Sequence, residues 1–365
     1  NASIGHFASR PELYHGPAIE MTITVFMVLA GANFMLLYWL IIFRPRRLLA
    51  DVEWRTYVGI LFAATVLVVA IGLWSGDFDG TNGMHKQGAE TIVLPPGGQV
   101  HVGRDGQVDV RLPATGSATT DDSPRSGHVA VLVPQESHIV RDHKGRLRIR
   151  PGDDQAGRGE QEDRRLDQAI RFGLFQVVSI MTTTGYCTDN FDLWNSFNRG
   201  LLLVLMFIGG CAGSTGGGLK VIRHILLVKI LRLEIEHAFH PTVVRPLWLG
   251  GRPVEDPELR RNILVYFALI VAIFVFSWLF TITVEPEATW TEHGHEVEHK
   301  LIDAASCVAA TLNNIGPGLG VIGATKNYSN FTWPTKLLFI WLMMLGRLEL
   351  FVILVLFVPG FWRSQ

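Results

Sequence analysis

Charge of either sign is scarce in this sequence, and so is cysteine. Only 18% of its 365 residues are Asp, Glu, Lys or Arg, against about 25% in an average soluble protein. The 32 basic and 33 acidic residues leave a formal net charge of −1. A nucleic-acid-binding chain would show a basic excess, and this one has none. The 3 cysteines, Cys187, Cys211 and Cys307, are too few and too scattered for a disulfide framework or a thiolate zinc site. What fills the sequence instead is apolar. Such residues make up 48% of it, with a mean hydropathy of +0.26 that one long polar stretch pulls down. The composition points into a membrane. The chain opens on Asn1, not on methionine, as is expected of a fragment of a longer protein.

Apolar runs of about 20 residues are long enough to cross a bilayer as helices. Ile19–Phe43, Tyr57–Trp74, Ile263–Val284 and Leu337–Phe357 qualify, and Leu201–Leu233 is long enough but interrupted. Ala169–Thr182 and Leu301–Leu312 are too short to span and read as buried or re-entrant helices. Basic residues set the sides. Arg44, Arg46, Arg47 and Arg55, then Lys229, Arg232, Arg245, Arg252, Arg260 and Arg261, and finally Arg363 fall in segments that alternate consistently as cytoplasmic. Trp54, Trp74, Trp194, Trp290, Trp333 and Trp362 lie near span ends, as an aromatic belt would place them.

The polar stretch at 76–165 then lies outside the cytoplasm. Within it, Gln99–Val102 and Gln107–Leu112 alternate around Gly103-Arg104-Asp105-Gly106, and Ser137–Val140 and Arg146–Arg150 repeat the pattern around Asp142-His143-Lys144-Gly145. These are hairpin signals. Ala114–Gly127 and Gly152–Glu162 read as linkers around a small β module without evident chemistry.

Two stretches share one plan. The first runs from Phe175 through Thr182-Thr183-Thr184-Gly185, past Trp194, into a span with Met206-Phe207-Ile208-Gly209. The second runs from Ala304 through Asn313-Asn314-Ile315-Gly316, past Trp333, into a span with Met343-Met344-Leu345-Gly346. Each follows a span of its own. A third, partial copy opens the chain and contains Met27-Val28-Leu29-Ala30-Gly31. The fold class expected is an all-α integral membrane protein built of span–pore half-helix–span repeats of potassium-channel type, with a small β-rich extracytoplasmic insertion. Its segments are 1–43 (end of a second repeat), 44–75 (cytoplasmic link and first span of a third), 76–165 (the insertion), 166–233 (pore helix, filter and interrupted span), 234–260 (cytoplasmic loop) and 261–365 (a fourth repeat).

Irregular backbone at membrane depth is tolerated only within protein or against a watery cavity. A half-helix followed by Thr and Gly supplies stacked carbonyls that replace the hydration shell of a cation. Thr183-Thr184-Gly185-Tyr186 and Asn314-Ile315-Gly316-Pro317 are therefore the candidate filter segments. The negative dipole ends of both half-helices favour a cation there. The bland alternative is a membrane bundle whose glycines only let helices pack.

The stretch Gly209-Gly210-Cys211-Ala212-Gly213-Ser214-Thr215-Gly216-Gly217-Gly218 cannot hold a helix, since each Gly costs about 1 kcal/mol relative to Ala. Beside a pore it reads as a flexible gate. A phosphate-binding loop would need Gly-Lys-Ser/Thr at its end and a strand before it, whereas Lys220 follows Gly218-Leu219. Arg347 lies in an apolar span, where an arginine costs at least about 2.5–3.5 kcal/mol and should face a cavity or a partner. It fits either a pore position below the filter or an ion pair with another helix. Glu349 is a poor partner, being two residues on.

These motifs resemble the Trk/Ktr/HKT potassium transporters, and the TrkH branch most of all. The likeness rests on Thr182-Thr183-Thr184-Gly185, on Phe207–Gly218 with Lys220-Val221-Ile222-Arg223, on Gly316-Pro317-Gly318-Leu319-Gly320, and on Gly346-Arg347-Leu348-Glu349 with Pro359 and Phe361-Trp362. It covers 1–74 and 166–362. The resemblance implies four repeats around one pore, with Gly185 and Gly316 centring two of the four filter segments, the glycine loop as intramembrane gate and Arg347 as the pore arginine. It implies potassium as the transported ion, no organic cofactor and no enzymatic activity. It implies a multi-pass inner-membrane protein among lipid, working as a homodimer with a TrkA-type cytoplasmic nucleotide-binding regulatory subunit. Against that pattern the first repeat is absent and the second begins after its filter, near Ala2-Ser3-Ile4-Gly5. The expectation is the C-terminal part of a longer transporter, unable to conduct by itself.

One motif belongs to another class. His295-Glu296-Val297-Glu298-His299 matches H-E-x-x-H, which on a helix would place two imidazoles on one face with Glu296 as general base of a zinc protease. Asp303 or His293 would be the third ligand. A solvated acidic loop before a half-helix is the simpler reading.

Overall fold

The computed structural model describes residues 2–3, 16–78, 91–93, 99–102, 108–111, 130–132, 138–141, 147–150, 158–240, 247–249, 252–254, 257–292, 295–296, 300–348, 350–357 and 361–362. Glu349, Pro359, His293, Val297, Glu298, His299, Arg245, Arg363, Ile4 and Gly5 lie outside the described residues. The chain divides into a unit made of residues 1–77 with 168–365 and a unit made of 78–167.

The first unit is helical. Its order is β1 (Ala2–Ser3), α1 (Gly16–Ala30), α2 (Phe34–Ile41), α3 (Pro45–Ala50) and α4 (Val52–Ser75). α5 (Arg158–Met181) begins within the second unit's residues and runs on into the first, where α6 (Ser196–Leu205), α7 (Val221–Phe239), α8 (Pro257–Val284), α9 (Lys300–Leu312), α10 (Trp333–Leu348) and α11 (Leu350–Leu356) follow. Among the described residues two helices are long and apolar enough to cross a membrane, Val52–Ser75 and Glu258–Val284. Their outer faces carry exposed Phe62, Val66, Leu67, Val271, Phe276 and Leu279.

The C-terminal seven residues of α5 and of α9 behave differently. Phe175, Gln176, Val177, Val178, Ser179, Ile180 and Met181 are all buried, and so are Ser306–Leu312. A helix covered all round is a core element, not a lipid-facing one. α9 packs against α8 and α10, α4 packs against α6 and α7, and Leu226, Ile230 and Ile263 join α7 to α8.

Two carboxylates, one past α4 and one past α8, brace the start of a later helix in the same way. Asp77, just past α4, accepts the backbone N–H of Asn195 at 3.0 Å and its Nδ2 at 2.6 Å. Asn195 is the N-cap of α6. Glu285, just past α8, accepts the backbone N–H of Thr332 at 3.0 Å and its hydroxyl at 2.6 Å, immediately before α10. A carboxylate acceptor is well placed at a helix N-terminus, where backbone donors are unpaired. Burial alone would raise the Glu285 carboxyl, but the hydrogen bonds from Thr332, Thr335 and Thr289 outweigh it and hold it below its ordinary value.

The apolar run Ile19–Phe43 is not one span. It stops at Ala30 and restarts at Phe34. The cause is tertiary: the carbonyls of Ala30 and Gly31 accept Thr215 N at 3.1 Å and Cys211 N at 2.8 Å, and Phe34 N donates to Gly213 O at 3.2 Å. Asn33 then caps α2 through Met35 N at 2.8 Å. Backbone groups that would close helical turns are engaged elsewhere, so the helix breaks.

In the second unit β3 (Gln99–Val102), β4 (Val108–Arg111), β7 (Leu147–Arg150) and β6 (His138–Arg141) form an antiparallel sheet in that spatial order. Val100 pairs with Val110, and Ile139 with Ile149. A separate pair joins β2 (Thr91–Val93) to β5 (Ala130–Leu132). In the first unit, β8 (Tyr186–Cys187) pairs in parallel with β1. β9 (Leu247–Leu249) pairs with β10 (Arg252–Val254), and β11 (Thr291–Glu292) with β12 (His295–Glu296).

Candidate functional site

α5 and α9 end in one conformation. After α5, Thr183 N donates to Ile180 O at 3.0 Å and Thr184 N to Ser179 O at 2.9 Å. After α9, Asn314 N donates to Thr311 O at 3.2 Å and Ile315 N to Ala310 O at 2.8 Å. This pair of bonds is the Schellman closure, which needs a left-handed residue just past the helix. Thr183 (φ 57°) and Asn314 (φ 58°) supply it. Two residues on, Gly185 (φ 77°) and Gly316 (φ 103°) turn left-handed again. Alternation of hand along a short segment lets successive carbonyls face one side, and Gly permits it at the second position. Among the described residues no donor reaches the carbonyl oxygens of Thr183, Thr184, Asn314 or Ile315. Gly316 O accepts from the Tyr328 hydroxyl at 2.6 Å, and Tyr186 O from the Ser179 hydroxyl at 2.6 Å.

The side chains around this shared backbone differ. Thr182 Oγ1 donates to Val178 O and lies 2.8 Å from Thr184 Oγ1. Thr183 Oγ1 accepts the N–H of Gly217 at 2.9 Å. Asn314 Nδ2 instead donates to Met343 O on α10 at 2.9 Å, and Asn313 Nδ2 to Ala309 O at 3.0 Å. A Cβ at Gly185 would overlap the Ile315 carbonyl oxygen, so the two segments touch at that point. A Cβ at Gly316 would meet nothing within 4 Å.

The glycine stretch fills the gap between α6 and α7, and it is held at many points. Gly209 N donates to Leu219 O at 2.7 Å and Val221 N to Gly210 O at 3.1 Å, which closes the base of the loop on itself. Gly218 N donates to Gly346 O at 3.1 Å and Leu219 N to Asn313 Oδ1 at 3.4 Å. Thr215 Oγ1 donates to Ala30 O at 3.0 Å, and the Lys220 ammonium to the Gly216 carbonyl. Thr215, Gly217 and Gly218 thus reach the end of α1, the end of α5 and α10, respectively. The sequence suggested a flexible loop; its backbone here is pinned, because glycine lets donors approach these carbonyls closely. A Cβ at Gly346 would overlap Leu312 O, and one at Gly31 the Tyr57 hydroxyl.

Arg347 donates to the Thr215 carbonyl and is exposed, so the guanidinium meets the loop's backbone. Sequence reasoning missed Glu53. Its Oε1 accepts Ala212 N at 2.7 Å and Ile222 N at 3.2 Å. A lone Glu in a first helical turn carries no signal beyond its affinity for the helix N-terminus.

The zinc reading loses its premise. His295–Glu296 are strand residues, with His295 opposite Glu292, and α9 begins only at Lys300. The helical face that would bring two imidazoles together is not formed by these residues. Asp303 is buried on α9 and accepts Val321 N at 3.3 Å. Among the described residues no group of three or more His, Cys, Asp or Glu could hold a metal ion.

The family model described as TrkH, cation transport protein, matches residues 162–364. The Trk system potassium uptake protein TrkH of Escherichia coli strain K12 is 42% identical over 195 residues, which are 53% of this chain and 37% of that protein. TrkH of Halomonas elongata is 38% identical over 197 residues, 54% of this chain and 38% of its own length. The crystal structure of the potassium transporter TrkH from Vibrio parahaemolyticus is similar with a TM-score of 0.61 at 26% identity, over 95% of this chain and 53% of that one. The chain spans less than two fifths of the length of these curated relatives and about half of the solved neighbour.

Proposed function

Because the chain belongs to the TrkH family of cation transport proteins, we propose that it serves potassium uptake across the cell membrane, the activity its relatives' names carry. The observation that carries this reading is the matched backbone of Thr183–Gly185 and Asn314–Gly316, two helix ends closed by left-handed residues and followed by a left-handed glycine. Carbonyls that lack protein donors are costly when buried, and a dehydrated cation is the partner that replaces those donors. The C-terminal ends of α5 and α9 add negative potential at the same place.

In this reading Thr183, Thr184, Gly185 and Tyr186, with Asn314, Ile315, Gly316 and Pro317, contribute two quarters of a selectivity filter. The loop Gly209–Gly218 is the gate. Its bond to Thr183 supports this role, because it links the loop directly to the first filter residue of the third repeat. Arg347 adds a positive charge where the loop tip lies and modulates cation passage. The protein spans the inner membrane several times among lipid, pairs as a homodimer, and takes its regulation from a TrkA-type nucleotide-binding subunit on the cytoplasmic side. The insertion 76–165 lies on the outer side.

The test is complementation by the native gene in a strain deficient in potassium uptake. Gly185→Ser and Gly316→Ser should abolish selective uptake, and shortening the loop within Gly213–Gly217 should raise leak. Growth rescue that survives both glycine changes would end the filter reading.

A further inference from the structure

Glu53 stands in the first turn of α4, is 7% exposed, and reaches across to the glycine loop. One carboxyl oxygen accepts Ala212 N as the chain enters the loop and Ile222 N as it leaves. Both ends of the loop are therefore tied to a single acceptor on a different helix. The loop also closes on itself beside these bonds, through Gly209 N and Leu219 O and through Val221 N and Gly210 O, and Cys211 N donates to Gly31 O. The tip is held differently. Thr215 bonds to Ala30 and Arg347, Gly216 to Lys220, Gly217 to Thr183, and Gly218 to Gly346. Each tip contact engages a single loop residue, whereas the Glu53 carboxylate bonds both flanks of the loop at once, so its withdrawal loosens both together.

We infer that Glu53 is a latch that fixes the roots of the glycine loop, so that only its tip, Gly213–Gly218, moves when the pathway opens. This rests on reading the loop as the gate. It makes Glu53 a positioning residue, acting on ion flow through the loop and not by touching the ion. The side-chain length fits the task. Aspartate, one methylene shorter, would fall short of two amides, while the amide oxygen of glutamine has two lone pairs for them.

The test uses membranes from cells expressing the native gene, with alkylation of each cysteine read by peptide mass spectrometry. Cys211 is buried at the root and reports on it; Ser214→Cys reports on the tip. During potassium uptake the tip thiol should react about tenfold faster than Cys211, the weight of a hydrogen bond or two held at the root. Glu53→Ala should bring Cys211 up to the rate of the tip and raise potassium leak, and Glu53→Gln should keep Cys211 protected. If Glu53→Ala does not reach the membrane, Glu53→Asp takes its place with the same expectation. Cys211 reacting as fast as the tip in the otherwise unchanged protein would overturn the latch. So would full protection of Cys211 in inserted Glu53→Ala or Glu53→Asp. Tip labelling that ignores uptake, with Cys211 still released by Glu53→Ala, would overturn the gate reading and leave the latch standing.

Discussion

Thr182–Tyr186 and Asn313–Pro317 reach one backbone by different chemistry. Both close their helix with the same two hydrogen bonds and both alternate hand at the same positions. At the first left-handed site one uses threonine and the other asparagine. Asparagine visits that region readily, whereas a β-branched residue there is an outlier. Strain of this kind costs about 1–3 kcal/mol and persists only where the surroundings impose it. What Thr183 gains is the bond from Gly217, so the strained residue is the one that holds the loop. Asn314 turns instead to Met343 on α10. The second glycines differ as well: Gly185 is enclosed by Ile315 and Pro317, and Gly316 stands in open space. Conformation is shared between the two segments, and the side chains divide the work.

The glycines give the largest test of that contrast. Gly185→Ala adds both strain and a clash with the Ile315 backbone, and uptake of rubidium should fall below detection. Gly316→Ala adds strain alone, and uptake should fall by about 5–30-fold, the weight of 1–2 kcal/mol. Equal losses would break the distinction. Exchanging the first left-handed residues comes next. Asn314→Thr loses the bond to Met343 O and acquires strain, so thermal unfolding in detergent should show a loss of about 1–3 kcal/mol, while Thr183→Asn should unfold at or above the starting temperature.

Thr183→Val keeps the shape and removes the acceptor of Gly217 N. An unmet buried donor costs about 1–3 kcal/mol, and the effect should appear as potassium leak with selectivity retained. The smallest effect concerns the carboxylate braces. The carboxyl of Glu285 is held below its ordinary value by hydrogen bonds, so its contribution is present above the unfolded-state pKa and is lost as pH falls through the lower folded one. Thermal stability measured downward from pH 6 should therefore decline in acid, and Glu285→Gln should flatten that decline.

Much of this was legible as pattern. The apolar stretch at 301–312 coincides with α9, and the spacing of Gly185 and Gly316 aligned two segments that share their closing hydrogen bonds and left-handed positions. The alternating stretches within 99–150 fall on β3, β4, β6 and β7. The break after Ala30 was not legible, because nothing in Met27-Val28-Leu29-Ala30-Gly31 opposes a helix strongly enough. It arises from donors on the glycine loop, nearly two hundred residues away in sequence on the scale of this 365-residue chain. Glu53 was hidden for a related reason: its partners are backbone amides, and amides leave no trace in residue identity. The motif at His295 was outweighed by the simpler reading of an acidic loop, since its spacing has meaning only on a helix and His295–Glu296 are strand residues.

The central claim is that these two segments bind a dehydrated cation through their carbonyls. The direct measurement is the unfolding temperature of the purified protein in potassium, in rubidium and in N-methylglucamine at equal ionic strength. A ligand that binds only the folded state raises it. Potassium and rubidium should raise the unfolding temperature above its value in N-methylglucamine, and Gly185→Ala should erase the difference. One temperature in all three salts, with Gly185 intact, would contradict the account.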